Sequence, residues 1–362
     1  MDNYNRIVLN TKNLKYNIRQ YRKLNKGIKI CAVVKANAYS HCLKNVVLAI
    51  DGQVEYFAVS NIFEALSVRK LTQKPIIILQ PVELNNTTIA IENDIIFSVF
   101  SLKYIKKIEK IAKKFKKNVK VHIKIDSGMN RYGVKNICDF NNILRFIKKS
   151  KWLKLDGVFT HLHNQQSEKE NKKQYKKFLS FISTIENKNE IIFHISSSTA
   201  VLENKLYCCD MIRIGFGMFE KVQKRNALKL KPCLSIFSKV VNVFNVKKGE
   251  YIGYGNCFKV KKDMKVATIP IGYADGFLRT NSKNGKVIID GKFAKIVGNI
   301  CMDCFMCDVS NIDCKLYSNV ILLGSQNNKH ISVYDLAKNC KTIPYEIFTN
   351  FKTERFSIIE KH

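Results

Sequence analysis

Short apolar runs recur at regular intervals through the first two thirds of this chain. Helical patterns separate most of them, most clearly at Leu102–Lys117, Asn136–Lys149 and Glu168–Glu186. The eight apolar runs are Ile28–Lys35, Glu55–Ser60, Pro75–Gln80, Asp94–Val99, Val119–Asp126, Asp156–His161, Glu190–Ser196 and Asp210–Gly215. Near-continuous apolar runs of this length are typical of strands buried on both faces, as in parallel sheets. Eight alternations of strand and helix predict a (β/α)8 TIM-type barrel.

An open, doubly wound α/β sheet is the structural alternative. That fold more often carries a Gly-rich loop after its first strand, and no such loop follows Lys35. The barrel therefore remains the favoured architecture.

The pattern changes near Leu230, where strand-like alternation replaces the strand–helix repeat. Cys233–Val246 alternates like one long strand, and Asn284-Gly285 and Asp290-Gly291 are strong hairpin-turn signals around the strand at Lys286. The shorter strand candidates are Lys265–Ile271, Lys286–Ile289, Lys295–Val297, Cys301–Val309, Val320–Leu323 and Arg355–Ile359. We expect a barrel domain over residues 1–230 and a mainly-β domain over residues 231–362.

The composition fits a globular protein with an excess of positive charge. Hydrophobic residues make up 46% of the 362 residues, and the formal net charge is +33. The charge is mostly lysine, spread along the whole chain rather than collected in one arm. Lysine and the other abundant residue types have AT-rich codons, so a bias in base composition explains the excess, and we expect no specific nucleic-acid partner. Neither a membrane-length apolar stretch nor the apolar core of a signal peptide is present, which predicts a soluble, cytoplasmic protein with no membrane partner.

The 12 cysteines are expected to be reduced thiols in that setting. The spacing Cys301-x2-Cys304-x2-Cys307 resembles part of an iron–sulfur run, but no fourth cysteine follows. If Cys301–Asp308 is a strand, Cys301 and Cys304 point to opposite faces. No metal site is therefore predicted.

Polar residues cluster where the predicted barrel strands end, which is where barrel enzymes place their active sites. Lys35 follows a buried strand, and burial lowers the pKa of an amine and frees it as a nucleophile. Ser198 and the amides near Gly215 follow strands seven and eight, where barrels often bind phosphate. The other polar residues at these ends include Tyr39, Lys124, Asp126, Arg131, Thr160, His161 and Arg213.

Three stretches resemble motifs of the alanine racemase family, the fold-type III enzymes that use pyridoxal 5′-phosphate (PLP). Ala32–His41 resembles the cofactor-lysine motif, and Gly128–Val134 resembles a Gly-Met-x-Arg-Leu-Gly segment, with Tyr132 in place of leucine. Gly272–Gly276 reads Gly-Tyr-Ala-Asp-Gly and resembles the catalytic tyrosine motif. The resemblance covers the chain from Ile7 to about Phe356.

The resemblance implies that Lys35 is linked covalently to PLP and that Tyr273 is the second base. Racemisation removes a proton from one face of the substrate and returns one to the other, and Lys35 and Tyr273 would serve opposite faces. In the family the tyrosine comes from the partner subunit, so the resemblance implies a homodimer. The implied reaction interconverts L- and D-alanine for peptidoglycan of the bacterial cell wall.

The resemblance also implies roles for the remaining matched positions. Arg213 would face the pyridine nitrogen, His161 would pack on the cofactor ring, and Lys124 matches a position that is carbamylated in some members. The phosphate-binding positions are Tyr39, Ser198, Gly215, Phe216 and Tyr345, and the substrate-carboxylate positions are Arg131 and Met302.

Several alternatives remain open at this level. His161 could be a core histidine, Ser198 a helix N-cap, and Tyr345 a structural residue. Glycine is usual in the family where the chain has Ser40, Cys42 and Glu220, and asparagine is common where it has Ser197. A racemase for another small amino acid such as serine, or a PLP-binding protein with weakened catalysis, therefore competes with the leading hypothesis. PLP-dependent decarboxylases share the architecture, but the Gly-Tyr-Ala-Asp-Gly motif favours a racemase.

Overall fold

The computed structural model describes residues 3–164, 167–203, 207–222 and 228–362. Met1 and Asp2, part of the start where no signal peptide is expected, therefore lie outside the described residues. The chain divides into two compact units. The barrel unit comprises Asn13–Ala38 and Leu43–Lys231, and the sheet unit comprises the residues up to Lys12, Tyr39–Cys42 and Pro232–His362.

The first strand, β1 (Arg6–Asn10), belongs to the sheet unit, and the next eight form the barrel. These are β2 (Lys29–Val33), β3 (Tyr56–Val59), β4 (Ile76–Ile78), β5 (Ile95–Val99), β6 (Val119–Lys124), β7 (Leu153–Phe159), β8 (Ile192–His194) and β9 (Met211–Ile214). Each of β2 to β7 pairs in parallel with the next strand, and β9 pairs with β2. Hydrogen bonds from Asp210 N to Phe193 O (3.0 Å) and from Arg213 N to Ser196 O (3.0 Å) close the ring between β8 and β9. The predicted (β/α)8 barrel is confirmed.

The helices begin where the sequence provides capping residues. Ser101, Asn136 and Ser167 each accept a hydrogen bond from the backbone three residues ahead, at the starts of the helices Leu102–Phe115, Ile137–Lys149 and Glu168–Ile182. The three predicted helical patterns are thus confirmed to within a few residues. The helices up to residue 219 are α1 (Thr11–Leu24), α2 (Lys35–Ser40), α3 (Leu43–Ile50), α4 (Ile62–Arg69), α5 (Thr87–Glu92), α6 (Leu102–Phe115), α7 (Ile137–Lys149), α8 (Glu168–Ile182), α9 (Ala200–Glu203) and α10 (Phe216–Phe219). No helix in the described part of the chain is long and apolar enough to cross a membrane.

The barrel interior changes from apolar to polar along the strands. An apolar cluster fills one level: Cys31, Val33, Tyr56, Ala58, Ile77, Ile96, Ile192 and Met211. Residues two apart in a strand share a face, so His194 follows Ile192 and Arg213 follows Met211 on the inward side. The strands therefore carry polar groups inward at their C-terminal ends.

Helix α2 has an unusual backbone. The five residues from Ala36 to Ser40 all have φ between 52° and 56°, the left-handed region that costs L-residues roughly 1–2 kcal/mol each. Hydrogen bonds from Ala36 N to Glu64 Oε1 (2.7 Å) and from Leu43 N to Asn37 Oδ1 (2.8 Å) help to hold the segment. Ser40 (φ 56°) and Cys42 (φ 65°) thus occupy positions where glycine fits without strain.

The sheet unit contains one ten-stranded sheet and two helices, α11 (Val333–Cys340) and α12 (Pro344–Asn350). Strand β1 lies between β10 and β18, with Ile7 and Leu9 fully buried. This pairing places the residues up to Lys12 in the same unit as residues 232–362. The expected division, with residues 1–230 in one domain, groups them with the barrel instead. The later strands are β10 (Leu234–Lys239), β11 (Asn242–Val246), β12 (Met264–Ile269), β13 (Lys286–Ile289), β14 (Lys292–Val297), β15 (Phe305–Asp308), β16 (Asn319–Gln326), β17 (Lys329–Ile331) and β18 (Ser357–Lys361).

Two expectations about this sheet need correction. The single long strand over Cys233–Val246 is wrong, because the chain breaks at Val240 and places β10 between β1 and β16 but β11 at the sheet edge. Asp290-Gly291 forms the expected hairpin turn between β13 and β14, with φ of 45° and 76°. Asn284-Gly285 does not form a hairpin; Gly285 N instead donates to Asn281 O (2.7 Å) after a 3₁₀ turn.

Candidate active site

Four cationic side chains influence one another at the C-terminal ends of the barrel strands. Lys35 follows β2, and burial and the nearby Arg131 lower its pKa, an effect that Glu64 partly opposes. Lys124 ends β6, and burial together with Arg131 and Arg213 lowers its pKa to about 8. The structure therefore brings together Lys35, Arg131 and Arg213, as the sequence predicts, in a region short of negative charge.

Arg213 is almost completely buried, and burial lowers its pKa to about 10, so it remains charged near neutral pH. Its two terminal nitrogens make all of its hydrogen bonds within the described residues. Nη1 donates to His194 Nδ1 (2.7 Å) and His194 O (3.1 Å), and Nη2 donates to Thr160 O (2.8 Å) and Ile195 O (2.9 Å). These bonds fix the guanidinium and leave Nε free for another group.

A buried hydrogen-bond chain runs from Arg213 into the barrel interior. Arginine only donates, so His194 Nδ1 accepts and His194 Nε2 carries the proton. That proton is donated to His122 Nδ1 (2.8 Å), and His122 Nε2 donates to Asp156 Oδ2 (3.0 Å). Burial lowers the pKa of both histidines and so keeps them neutral. Each histidine then accepts one hydrogen bond and donates one, so every bond from Arg213 to Asp156 points the same way.

His161 lies beside these cations, and its imidazole is neutral. Burial, followed by Arg213 and Arg131, lowers its pKa to about 3. Its Nδ1 lies 3.5 Å from Arg213 Nη2. A neutral imidazole can pack against another aromatic ring without repulsion from the cations around it. The contact with Arg213 argues against a core histidine that is separate from the site.

Ser198 holds the backbone at the start of α10. Its Oγ accepts hydrogen bonds from Gly215 N (2.9 Å) and Gly217 N (3.2 Å), so its own hydroxyl proton is left to donate. It is not the N-cap of α9, which begins at Ala200. Phe216, the first residue of α10, is buried nearby. The adjacent Ser197 Oγ is buried and has no partner among the described residues.

Tyr132 contacts both neighbouring cations. The Lys124 amine lies 5.2 Å and the Arg131 guanidinium 6.0 Å from the centre of its ring. Phe100 packs against the same ring at 5.9 Å between centroids. The tyrosine that replaces the family's leucine thus supports the Lys124–Arg131 pair through cation–π contacts.

The sheet unit carries four of the expected site residues as two pairs. The rings of Tyr39 and Tyr345 lie 6.3 Å apart. Tyr273 and Met302 lie on adjoining turns, joined by hydrogen bonds from Tyr273 N to Cys301 O (3.1 Å) and from Ala274 N to Met302 O (3.0 Å). Tyr273 is 43% and Met302 55% exposed, so both side chains are accessible in the single chain.

Gly272 and Asp275 shape the Tyr273 turn. A Cβ atom at Gly272 would collide with the backbone oxygen of Met302, so only glycine fits there. The buried Asp275 carboxylate accepts hydrogen bonds from Gly272 N (2.8 Å) and Arg355 Nε (2.6 Å). The motif therefore encodes the turn that presents Tyr273.

The expectation that Cys301 and Cys304 face opposite ways is wrong. Strand β15 begins only at Phe305, and residues 301–304 form a turn closed by a hydrogen bond from Cys301 N to Cys304 O (2.8 Å). No group of three or more metal-ligating side chains is found among the described residues.

Sequence reasoning missed His194, His122 and Asp156. A signal was present, because His122 stands between Val121 and Ile123 and His194 between Phe193 and Ile195. A buried polar group in a strand needs a partner, so such residues indicate an internal network.

Comparisons with known proteins bear directly on these features. Residues 9–221 match the model of the alanine racemase N-terminal domain, and residues 233–359 match the C-terminal domain. An alanine racemase of Borreliella burgdorferi is 35% identical over 95% of this chain and 94% of its own length. The crystal structure of alanine racemase from Bacillus anthracis with bound L-Ala-P superposes with a TM-score of 0.93 at 29% identity, covering 100% of this chain and 96% of that one.

A histidine racemase from Leuconostoc mesenteroides superposes with a TM-score of 0.89 over 98% of this chain and 97% of that one. Its identity is 24%, so this similarity concerns the fold alone. The domain matches and the similarity to the Borreliella enzyme each extend over most of the sequence. The chain belongs to the alanine racemase family.

Proposed function

We propose that this protein is an alanine racemase, a PLP-dependent isomerase that interconverts L- and D-alanine. The observation that carries the proposal is the amine of Lys35, with its lowered pKa, among Lys124, Arg131 and Arg213 at the mouth of the barrel. Cytoplasmic D-alanine for peptidoglycan is the role we infer for the product.

The residues at the barrel mouth fit PLP. Clustered cations that depress one another's pKa values favour an anionic ligand, and PLP has a phosphate. The unused hydroxyl proton of Ser198 is a donor for that phosphate, and the amides of Gly215 and Gly217 hold the Ser198 oxygen in place. By the resemblance, Gly215 and Phe216 also lie at the phosphate. By the resemblance, Tyr39 and Tyr345 add phenolic donors. When bound, PLP withdraws electrons from the α-carbon of the amino acid and makes its α-hydrogen acidic.

Arg213 sets the electronic character of the site. Its Nε has no hydrogen-bond partner within the described residues, whereas both terminal nitrogens are committed. We infer that Nε faces the pyridine nitrogen. Because the guanidinium stays protonated near neutral pH, it keeps its protons and would leave that nitrogen unprotonated, which restrains charge build-up on the ring and disfavours transamination.

Lys35 and Tyr273 are the proposed proton carriers. Lys35 Nζ would hold or release a proton on one face of the α-carbon, and the Tyr273 hydroxyl on the other. Each positioned acid–base group contributes roughly 10²–10⁴-fold. The exposure of Tyr273 and Met302 supports a homodimer in which a second copy of the chain receives both side chains.

Arg131 is the proposed ligand of the substrate carboxylate, together with Met302. Lys124 lies next to it with a pKa of about 8, so about a tenth of its amine is neutral at pH 7, far more than for an ordinary lysine. A neutral amine adds CO₂, and the carbamate would replace a positive charge by a negative one beside Arg131. The surplus of cations around Lys124 supports that modification.

The proposal is tested by measuring racemisation with the purified PLP-loaded protein. L-Alanine, L-serine and L-histidine form the first substrate panel, because serine is the competing small substrate and the fold also serves a histidine racemase. We expect D-alanine to form fastest and Lys35→Ala to be inactive, and mass analysis after borohydride should find PLP on Lys35. Salt-sensitive binding to nucleic acid without racemisation would instead favour a protein with lost catalysis.

A further inference from the structure

Cys301 and Cys304 form a second chemically reactive arrangement, in the sheet unit. They stand at the two ends of a four-residue turn, and Met302 is one of the two residues between them. The hydrogen bond from Cys301 N to Cys304 O makes the two residues face each other. A direct bond between the two backbones holds their Cα atoms near each other, as a disulfide requires with its Cα separation of roughly 4.4–6.8 Å.

The two thiols lie close enough to influence each other, because Cys301 contributes to the raised pKa of Cys304. The Sγ atom of Cys301 approaches Asn299 O at 3.6 Å. Both side chains are partly exposed, unlike the buried Cys307 on β15. A Cys-x-x-Cys pair with this access is the arrangement that thiol–disulfide chemistry uses.

The turn is bonded directly to the segment that carries Tyr273. The carbonyl of Cys301 accepts from Tyr273 N, and the carbonyl of Met302 accepts from Ala274 N. A change in the backbone of residues 301–304 therefore reaches Tyr273 through two hydrogen bonds.

We propose that Cys301 and Cys304 are a reversible thiol–disulfide pair whose oxidation by peroxides displaces Met302 and Tyr273. The effect on catalysis rests on the proposed racemase function, whereas disulfide formation does not.

The chemistry balances with hydrogen peroxide as the oxidant. The Cys301 thiolate attacks one peroxide oxygen, the O–O bond breaks, and hydroxide leaves and is protonated to water. Cys304 then attacks the sulfenic sulfur of Cys301, forming the S–S bond and releasing a second water. Two thiols lose two electrons in total, and a dithiol reverses the step by exchange.

The test treats the PLP-loaded protein with hydrogen peroxide, blocks the remaining thiols and maps disulfides by peptide mass. We expect a Cys301–Cys304 disulfide in the wild type and in Cys257→Ser, which removes an exposed cysteine elsewhere in the sheet unit. The value of kcat/KM should fall roughly tenfold, within the loss of up to about 10²-fold that a displacement of about 1 Å costs, and return with dithiothreitol. The double variant Cys301→Ser/Cys304→Ser should be insensitive to the same treatment.

Absence of the disulfide, or a disulfide with unchanged kcat/KM, would overturn the proposal. If the reduced protein racemises no amino acid, the proposed function fails, but peptide mapping still decides whether the pair forms.

Discussion

Nη1 of Arg213 donates a 2.7 Å hydrogen bond to Nδ1 of His194, and this bond fixes which atoms donate in the hydrogen bonds that follow, from His194 to Asp156. His194 must then donate to His122, and His122 to Asp156. The position of Arg213 is therefore determined from inside the barrel rather than by solvent-exposed contacts.

Replacing His194 by leucine removes the side-chain acceptor of Arg213 Nη1 and leaves the buried acceptor His122 Nδ1 without its donor. Such groups cost about 1–3 kcal/mol each, so the free energy of unfolding should fall by at least that amount. Affinity for PLP should fall with it. Urea unfolding and PLP titration measure the two effects. Asp156→Asn is the matched control, because its amide oxygen still accepts from His122 and should keep most of the stability. Equal behaviour of His194→Leu and the wild type would contradict this reading of the chain.

Lys124 gives the stability a defined pH dependence. Its pKa falls from 10.5 to about 8 on folding, so between these pH values the unfolded chain holds a proton that the folded chain does not. The free energy of unfolding should therefore rise through that window from this group. Lys124→Met should flatten the rise between pH 7 and 10 in urea titrations, and Lys107→Met on the exposed face of α6 serves as the control. An identical slope in Lys124→Met and the wild type would show that another group is responsible.

The barrel and the positions of Lys35 and Arg213 could be predicted because apolar runs locate buried strands, and strand ends locate the site. The chain from His194 through His122 to Asp156 could not, because its members are 34 to 72 residues apart and on different strands. Their contacts depend on how the strands are arranged around the ring.

Local backbone geometry was the other feature that could not be predicted from the sequence. The local sequence of Ala36–Ser40 does not favour five consecutive left-handed residues. Tertiary contacts impose this backbone, so the sequence alone could not predict it. The segment Cys301–Val309 was predicted as one strand, yet residues 301–304 form a turn that places Cys301 and Cys304 opposite each other. Strand β1 was missed because five residues before a helix carry a weak signal.

Ser40→Gly should stabilise the protein. At φ 56° an L-residue is disfavoured by roughly 1–2 kcal/mol, and glycine removes this strain. Glycine also loses more backbone entropy on folding, which costs about 0.5–1 kcal/mol. We therefore expect the free energy of unfolding to rise by up to about 1 kcal/mol. Thermal unfolding would record it as a higher midpoint. Ala49→Gly in the right-handed helix α3 should have the opposite effect, and a lowered midpoint in Ser40→Gly would refute the strain argument.

Asp275 and Asp303 both bind Arg355 but differ in burial, which makes them a matched pair. Asp275 is buried and also caps the Tyr273 turn, whereas the Asp303 side chain is 62% exposed. Asp275→Ala should cost about 1.5–3 kcal/mol of stability and lower kcat. Asp303→Ala should cost less than about 1 kcal/mol. Similar losses in both variants would mean that Asp275 acts only through its ion pair.

The central claim is that Lys35 and Tyr273 serve opposite faces of the substrate, and isotope exchange tests it most directly. PLP-loaded Tyr273→Phe in D₂O would be given L-alanine and D-alanine separately, and α-hydrogen exchange and racemisation would be followed together. We predict that one enantiomer exchanges its α-hydrogen with retention of configuration through Lys35, while racemisation falls by at least about 10²-fold, the lower bound for a positioned base. Exchange of both enantiomers with racemisation near the wild-type rate would contradict the two-base account.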